Sequence, residues 1–394
     1  MTQNVQIPPA ELIHQDELRF LQHFDSGPRP PGWRLTPRAV VQFIVGTGGE
    51  KLKLAAGTKA PEGVAQSLAI CEKFVGQREL VERCVVTLAS ERGLLLVGEP
   101  GTAKSMLSEL LAAAVSGTSA LTVQGTAGTT EDQIRYGWNY ALLMARGPHP
   151  EALVPSPVLT GLRRGAIVRI EEVTRCLPEV QDALISLLSD RRMAIPELDE
   201  AVDGEGGTRI EFAAPGFNVI ATANLRDRGV SEMSAALKRR FNFEVIAPIA
   251  DIEREKNLVR SRASASLARV DQSFQLDEAV LEALVTAFRD LRSGRTVEGW
   301  SVEKPTTVMS TAECVSVASS IGIQAAYFPS ERDVASLIPG YLLGVVLKDD
   351  AQDRGRLLAY WDSAVTRRAE GGGRLWKRLL ELRSVLEEHH GRST

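Results

Sequence analysis

Lys104 and Ser105 follow a loop of small residues in the run G-L-L-L-V-G-E-P-G-T-A-K-S, which begins at Gly93. The apolar residues before the loop predict a strand, and the pattern from Met106 to Val115 predicts a helix. Inward-pointing backbone N–H groups, a helix N-terminus and a point cation are what the oxygens of a triphosphate require. The lysine would reach the β and γ oxygens, and the Ser105 hydroxyl would hold Mg²⁺. The predicted nucleotide-binding residues of this loop are Gly98, Glu99, Pro100, Gly101, Thr102, Ala103, Lys104, Ser105 and Met106.

One residue departs from the usual pattern of such loops, G-x-x-x-x-G-K-[ST], because Ala103 stands in place of the last glycine. Alanine adds a single methyl group to the backbone. It fits this position if residue 103 already has helical φ and ψ angles, which a residue with a Cβ atom adopts without strain. The expectation for Ala103 is therefore a helical conformation.

Two adjacent carboxylates, Glu171 and Glu172, end an apolar run that starts at Gly165. Strands of parallel sheets are apolar and carry functional residues at their carboxyl ends. One carboxylate can hold the Mg²⁺ shell and the next can polarise the attacking water, so Glu171 is assigned to the metal and Glu172 to the water. An acid pair at the start of a helix is the alternative. The position downstream of Lys104, with a helix predicted from Pro178 to Ser189, favours the catalytic interpretation.

Asn224 follows another predicted strand, Phe217 to Thr222. A buried amide at the end of a strand can hydrogen-bond the hydrolytic water or the γ-phosphate. An asparagine that forms a turn is the alternative.

Three arginines are candidates for contacts with the γ-phosphoryl oxygens. Arg239 and Arg240 end a short predicted helix, and a ring-forming ATPase can supply such an arginine from a neighbouring subunit. Arg240 is the first choice and Arg239 the second, while a solvated pair is the alternative. Arg332 lies in the first turn of a later helix and could point back at the phosphates, although a surface arginine explains it equally well.

The overall composition is that of an ordinary soluble globular protein. The chain has 394 residues, of which 24% are charged and 44% hydrophobic, and its net charge of −4 produces no general attraction for nucleic acid or anionic membranes. Four widely spaced cysteines indicate free thiols in a reducing compartment rather than a metal site. No signal peptide and no long apolar run is evident, so no membrane insertion and a cytoplasmic location are expected.

Breaks in the pattern divide the chain into four predicted domains. A helical appendage (residues 1–70) precedes an α/β nucleotide-binding domain (71–248), a helical domain (249–349) and a tail of two polar helices (350–394). Within the α/β domain, Arg192–Ile195 and Thr208–Phe212 are predicted strands on either side of a glycine-rich turn, Gly204–Gly207, so residues 192–212 predict a β-hairpin. An insert carrying Trp138 and Tyr140 could contact a partner, although packing of these rings into a core is the favoured alternative.

These motifs, in this order, resemble those of the AAA+ ATPases, and more narrowly the MoxR branch, from about Lys73 to Leu347. The loop G-E-P-G-T-A-K-S resembles the first motif of that branch, alanine included, and E-E-V-T-R resembles a second motif that usually reads D-E-x-N-R. A-T-A-N corresponds to the sensor-one strand, L-K-R-R-F to the arginine-finger helix and S-E-R-D to the sensor-two helix. The hairpin fits the family's pre-sensor insertion. F-V-G-Q lies near the adenine in that family, which adds Val75 and Gly76 to the nucleotide-binding residues.

The resemblance implies an α/β fold in which a parallel five-stranded sheet lies between helices, with a C-terminal helical lid domain. It also implies ATP and Mg²⁺ as cofactors and a homo-oligomeric ring, most often a hexamer. Members resemble chaperone-like remodellers that mature a client protein, usually with a von Willebrand factor A-domain partner.

Two other functions stay open from the sequence. A nucleic-acid motor is one, since hairpin-bearing relatives include helicases, but the acidic net charge and the absence of a basic stripe interleaved with aromatic residues argue against it. A non-hydrolysing ATP switch or scaffold is the other, since Glu171 replaces the usual aspartate.

Overall fold

A computed structural model describes residues 7–55, 60–202, 205–224, 233–268, 276–328 and 333–387. The chain forms two compact units: the first comprises Met1–Gly98 and Ala103–Ile246, and the second comprises Glu99–Thr102 and Ala247–Thr394. None of the helices in these described ranges is long and apolar enough to cross a lipid bilayer.

The strands within the described residues all lie in the first unit. They are β1 (Lys51–Lys53), β2 (Ser67–Ala69), β3 (Gly93–Gly98), β4 (Thr122–Gln124), β5 (Tyr136–Trp138), β6 (Leu153–Pro155), β7 (Ile167–Glu171), β8 (Arg192–Val202), β9 (Glu205–Phe212), β10 (Asn218–Ala223) and β11 (Phe241–Ile246).

The helices are divided between the units. Those of the first unit are α1 (Ala10–Ile13), α2 (Gln15–Phe24), α3 (Pro37–Val45), α4 (Arg78–Leu88), α5 (Lys104–Ser116), α6 (Glu131–Ile134), α7 (Tyr140–Arg146), α8 (Pro157–Arg164), α9 (Pro178–Asp190) and α10 (Ala235–Lys238). Those of the second unit are α11 (Ile252–Leu267), α12 (Glu278–Ser293), α13 (Thr311–Tyr327), α14 (Ile338–Val346), α15 (Asp353–Tyr360), α16 (Thr366–Glu370) and α17 (Arg374–Glu381), with a π-helical turn at Trp361–Val365.

The central sheet has five parallel strands in the order β11-β3-β10-β7-β4. Side chains of β3 alternate between its two faces: Leu94 and Leu96 belong to one hydrophobic core, and Leu95 and Val97 to the other. Helices α4 and α5 contribute to the first core, and α8 and α9 to the second. The predicted sheet, covered by helices on both faces, is confirmed.

The N-terminal helices belong to the core that includes α4 and α5. Phe20 of α2 and Phe43 of α3 are fully buried in it together with Leu107 of α5. The Glu11 carboxylate accepts hydrogen bonds from the backbone N–H and the hydroxyl of Ser119, just after α5. These contacts hold the N-terminal residues against the helix that follows the phosphate loop.

Two β-hairpin-like insertions extend from the first unit, and hydrogen bonds link them. Strands β8 and β9 pair antiparallel as predicted, but they are longer than expected: only residues 203–204 separate them, which lie outside the described residues. Strands β5 and β6 form the other pair, and the Tyr136 hydroxyl donates to Glu197 at 2.7 Å. Packing of both aromatic rings into a core is correct only for Trp138, which is half-buried, because Tyr140 is 71% exposed.

The second unit has a core of its own, to which α11 to α15, the π-helical turn and α17 contribute. Asp277 caps α12 by accepting a hydrogen bond from the backbone N–H of Ala279. The expectation of polar tail helices is wrong, because Tyr360 and Trp361 are among the largest buried side chains of this core. The Tyr360 hydroxyl and the Arg368 guanidinium both donate to Asp290 of α12, which fixes the tail to the preceding helices.

Candidate active site

The carboxyl ends of β3, β10 and β7 lie side by side because these strands are parallel neighbours. Ala223, at the end of β10, is in register with Val97 near the end of β3, and Ala221 with Ile170 near the end of β7. The phosphate loop, Asn224 and the two glutamates therefore follow adjacent strands at one edge of the sheet. This edge is where parallel α/β sheets bind ligands.

The loop between β3 and α5 has two residues with positive φ. Gly101 has φ +74°, which glycine adopts without strain. Ala103 has φ 66° and ψ 26°, which is left-handed, so the expected helical conformation at this residue is wrong. Ala103 immediately precedes α5, which begins at Lys104, so the left-handed backbone conformation lies at the junction of the loop and the helix. A left-handed residue with a Cβ costs roughly 1–2 kcal/mol.

Lys104 and Ser105 begin α5 and point to different partners. The Lys104 side chain is buried, at 7% exposure, and its Nζ donates to the carbonyl oxygen of Gly98 at 2.9 Å. The Ser105 hydroxyl donates to Glu171 Oε2 at 2.7 Å. Ser105 is an exposed residue, and its hydroxyl proton is held by the carboxylate.

Glu171 accepts hydrogen bonds on both of its carboxylate oxygens. Oε2 lies 2.7 Å from the Ser105 hydroxyl and 2.8 Å from the Thr222 hydroxyl. Oε1 lies 2.7 Å from the Ser108 hydroxyl and 2.8 Å from Arg169 Nη2. Burial opposes ionisation of this carboxyl, but the hydroxyl donors and the charge of Arg169 outweigh it and lower its pKa. The carboxylate is thus anionic and held in one orientation.

Glu172 is a left-handed residue that immediately follows β7, with φ 57° and ψ 46°. Its backbone N–H donates to the Thr222 hydroxyl at 2.9 Å, so Thr222 contacts both glutamates. Its side chain is half-buried, and Arg175 Nε lies 3.1 Å from Oε2. A non-glycine residue held in this strained conformation next to a functional candidate is typical of active sites.

Asn224 is buried, at 2% exposure, directly after β10. In the part of the chain that the structure describes, its Oδ1 atom has no hydrogen-bond partner. A buried acceptor without a partner costs free energy, and such atoms are commonly satisfied by a water or a ligand. The Asn224 amide can therefore accept a hydrogen bond from a molecule bound at this edge.

The remaining predicted residues do not join this cluster. Arg240 donates to the Ser189 hydroxyl at 2.9 Å and to the Ala236 carbonyl at 2.8 Å, and Arg239 is exposed. Val75 and Gly76 are half-buried in the segment before α4, where a Cβ on Gly76 would lie 2.2 Å from the Phe74 ring. Arg332 lies outside the described residues.

Three residues of the cluster were not predicted from the sequence. Each had a usable signal: Arg169 precedes Glu171 by two positions and so shares its face of β7, Ser108 lies one turn after Ser105 on α5, and Thr222 lies two positions before Asn224. Only the packing of α5 against β7 and β10 reveals that all three face one carboxylate.

The sheet order, the loop before α5 and the acids after β7 define a nucleotide-binding domain of the AAA+ class. Residues 93–241 match the family model described as "AAA domain (dynein-related subfamily)", and residues 253–387 match "YehL-like AAA+ ATPase C-terminal domain". The chain is 47% identical over 367 residues to the uncharacterized protein YehL of Escherichia coli K12, covering 93% of this chain and 94% of that protein. The protein therefore belongs to the YehL-like AAA+ ATPases.

Other similarities are more distant. The uncharacterized protein SH1500 of Staphylococcus haemolyticus is 29% identical over 204 residues, which cover 51% of this chain and 69% of that protein. Among solved structures, the RuvB Holliday junction branch migration motor of Thermotoga maritima aligns with 73% of this chain and 76% of its own, with a TM-score of 0.41 and 16% identity.

Proposed function

We propose that this protein hydrolyses ATP with Mg²⁺. The observation that supports the proposal is the contact of the Ser105 hydroxyl with Glu171, beside a second glutamate and a buried asparagine with an unpartnered oxygen. Lys104 and the backbone of residues 98–106 would bind the phosphates, and Val75 and Gly76 would lie near the adenine. A hydroxyl and a carboxylate are oxygen donors that suit Mg²⁺.

The role of Glu171 follows from its hydrogen bonds. Both of its oxygens already accept from two protein donors each. We infer that it acts mainly by orienting the Ser105 hydroxyl and by its negative charge, so that the serine oxygen is the direct ligand. When bound, Mg²⁺ would neutralise charge on the phosphate oxygens.

Glu172 and Asn224 would act on the water. The Glu172 carboxylate is a general base that accepts a proton from the attacking water, and Thr222 fixes its backbone. The Asn224 Oδ1 atom would accept a second hydrogen bond from the same water and so orient it toward the γ-phosphorus. The water proton passes to Glu172 as the new oxygen–phosphorus bond forms and ADP leaves.

The test replaces the base while keeping the shape. Glu172→Gln removes the proton acceptor, so we expect hydrolysis, measured as phosphate release, to fall by roughly 10²–10⁴-fold. Binding of a fluorescent ATP analogue should stay close to that of the wild-type protein. Glu179→Gln, at an exposed glutamate in the first turn of α9, is the matched control and should hydrolyse normally. Normal turnover by Glu172→Gln would show that the base is another residue.

We further propose that the protein acts as a MoxR-type remodeller. This finer assignment rests on the resemblance of the motifs, including the alanine of the phosphate loop and the hairpin of β8 and β9. The same proposal includes a homo-oligomeric ring in which Arg240 or Arg239 reaches the nucleotide of a neighbouring subunit and Arg332 reaches it from the lid. It also includes a client protein, a von Willebrand factor A-domain partner and a cytoplasmic location. Affinity capture from cells with Glu172→Gln would identify the client.

Two outcomes would favour the other functions. Hydrolysis stimulated by DNA and falling steeply with salt would favour a nucleic-acid motor. Tight ATP binding without phosphate release by the wild-type protein would favour a switch or scaffold.

A further inference from the structure

Arg169 is a largely buried arginine in the middle of β7, a strand with a neighbour on each side. Parallel strands covered on both faces are typically apolar, and arginine is rarely buried without a partner. Its side chain is 11% exposed and faces α5, on the same side of the strand as Glu171. Apolar packing alone does not explain an arginine at this position of the strand.

The guanidinium group is held by several parts of the first unit. Nη2 lies 2.8 Å from Glu171 Oε1 and 3.1 Å from the Ser105 carbonyl oxygen, while Nε lies 2.9 Å from the Ser108 hydroxyl. Nη1 lies 3.2 Å from the Ser119 carbonyl oxygen and 3.4 Å from the Thr122 hydroxyl. All three nitrogens have acceptors, so the planar fork is fixed in one orientation.

This geometry determines how Glu171 meets Ser105. Arg169 and Ser108 occupy Oε1, which leaves Oε2 for Ser105 and Thr222. With the carboxylate fixed in this way, the Ser105 proton is directed at Oε2 and its lone pairs are left for a ligand. Arg169 therefore acts on Ser105 through Glu171, without contacting the Ser105 hydroxyl.

The same contact changes the charge of the site. A carboxylate attracts a divalent cation, but here a guanidinium at 2.8 Å already compensates the negative charge. A second cation close to Glu171 is repelled by Arg169 unless it arrives with further negative charge. A nucleoside triphosphate brings that charge.

We propose that Arg169 is a positioning residue and internal counter-ion that prevents Glu171 from binding a free divalent cation, so that the cation enters only with a nucleoside triphosphate. This inference rests on the proposed function for the identity of the nucleotide. Its physical content, the competition between Arg169 and a cation for Glu171, can be measured without nucleotide.

The first experiment measures Mn²⁺ binding alone, with free Mn²⁺ followed by electron paramagnetic resonance. The wild-type protein should bind Mn²⁺ weakly, and Arg169→Ala should bind it at least about ten-fold more tightly, since the carboxylate is then uncompensated. Arg169→Gln, which keeps hydrogen bonding without the charge, should behave the same way and replaces the alanine variant if that protein does not fold. Arg164→Ala, at an exposed arginine on α8, is the control and should match the wild type.

A double variant locates the cation. Adding Glu171→Gln to Arg169→Gln removes the carboxylate charge and should abolish the gain in Mn²⁺ affinity. The inference is overturned if folded Arg169→Gln binds Mn²⁺ no more tightly than the wild type, or if the gain survives in the double variant.

The second experiment separates positioning from a purely structural role. Arg169→Lys keeps the charge and loses the fork, so Mn²⁺ binding alone should stay weak while kcat for ATP falls about ten-fold or more with KM little changed. Wild-type kcat in Arg169→Lys would refute the positioning role. If the wild-type protein binds no fluorescent ATP analogue, the proposed function fails, yet the Mn²⁺ measurement still decides the role of Arg169.

Discussion

Ala103 carries a backbone strain that the protein retains at the start of its phosphate loop helix. Its φ of 66° lies in the region that glycine occupies freely, and a glycine is common at this place in such loops. The sequence reveals the substitution but not the conformation, because φ at one residue is set by where the strand before it and the helix after it must go. The right-handed helical conformation expected for Ala103 is therefore wrong, and the left-handed conformation is the one that the residue adopts.

We predict that Ala103→Gly stabilises the protein. Relief of roughly 1–2 kcal/mol of strain is opposed by the roughly 0.5–1 kcal/mol by which glycine favours the unfolded chain, so the free energy of unfolding should rise by up to about 1.5 kcal/mol. Urea unfolding followed by circular dichroism measures it. Ala112→Gly, the same change at a buried helical position of α5, should instead destabilise by about 1 kcal/mol or more. Shifts of the same sign in both variants would contradict the strain at Ala103.

The predicted site residues divide into those that a local pattern can identify and those that it cannot. Lys104, Ser105 and Glu171 follow from the loop and the apolar strand, and the Ser105 hydroxyl lies 2.7 Å from Glu171 Oε2, while the metal site stays a prediction. The pattern places Arg169 on the same face of β7 as Glu171, but its role could not be assigned from the sequence, because it depends on partners on α5. Sequence patterns report positions along one element, whereas this cluster is defined across three.

At the scale of elements, the pairing of β4 with β7 brings a loop against the turn that carries Glu172. Gln124 is in register with Glu171, and the N–H of the next residue, Gly125, donates to the Glu171 carbonyl at 2.7 Å. A Cβ on Gly125 would lie 2.4 Å from the Glu172 carbonyl oxygen. The same loop continues through Thr129 into α6 and β5, so the insertions are connected to the turn that carries Glu172.

We predict that Gly125→Ala impairs hydrolysis more than binding. The added methyl group must push the Glu172 backbone away, and a displacement near 1 Å at a reacting group can reduce the rate by about 10²-fold. Phosphate release and binding of a fluorescent ATP analogue would be measured side by side. Gly128→Ala in the same loop is the control, because its Cβ would meet nothing closer than the Thr126 hydroxyl at 3.8 Å. Equal hydrolysis by the two variants would argue against a rigid contact at Gly125.

Most helices and strands could be predicted from the sequence, whereas the burial of their side chains was harder to predict. The strand, loop and helix around Lys104, the hairpin and the cap at Asp277 follow from apolar periodicity and turn residues. The tail helices were predicted to be polar, yet Tyr360 and Trp361 are buried. The π-helical turn Trp361–Val365 has more residues per turn than an α-helix, which shifts the positions that face the core.

At the scale of the whole molecule, the described residues form two hydrophobic cores in the first unit and one in the second, and the division into four domains stays a prediction. The tail shares one core with α11–α14, and the matched C-terminal family domain likewise spans residues 253–387. Contacts between subunits are beyond sequence patterns, because an arginine pair on a surface has the same local signal whether or not another subunit uses it. Arg239 and Arg240 are therefore tested only by an assembly experiment.

We predict that two inactive variants restore each other if an arginine acts between subunits. A Lys104→Ala subunit cannot bind ATP but retains Arg240, and an Arg240→Ala subunit binds ATP but lacks the arginine, so mixed rings contain complete sites and should regain part of the activity. Phosphate release would be measured across mixing ratios. Arg239→Ala would be tested in parallel, because the Arg239 side chain is exposed whereas Arg240 makes hydrogen bonds within its own chain. Lys104→Ala mixed with Glu172→Gln is the negative control, since both residues belong to the pocket of one subunit. No recovery at any ratio with either arginine variant would exclude an arginine lent in trans.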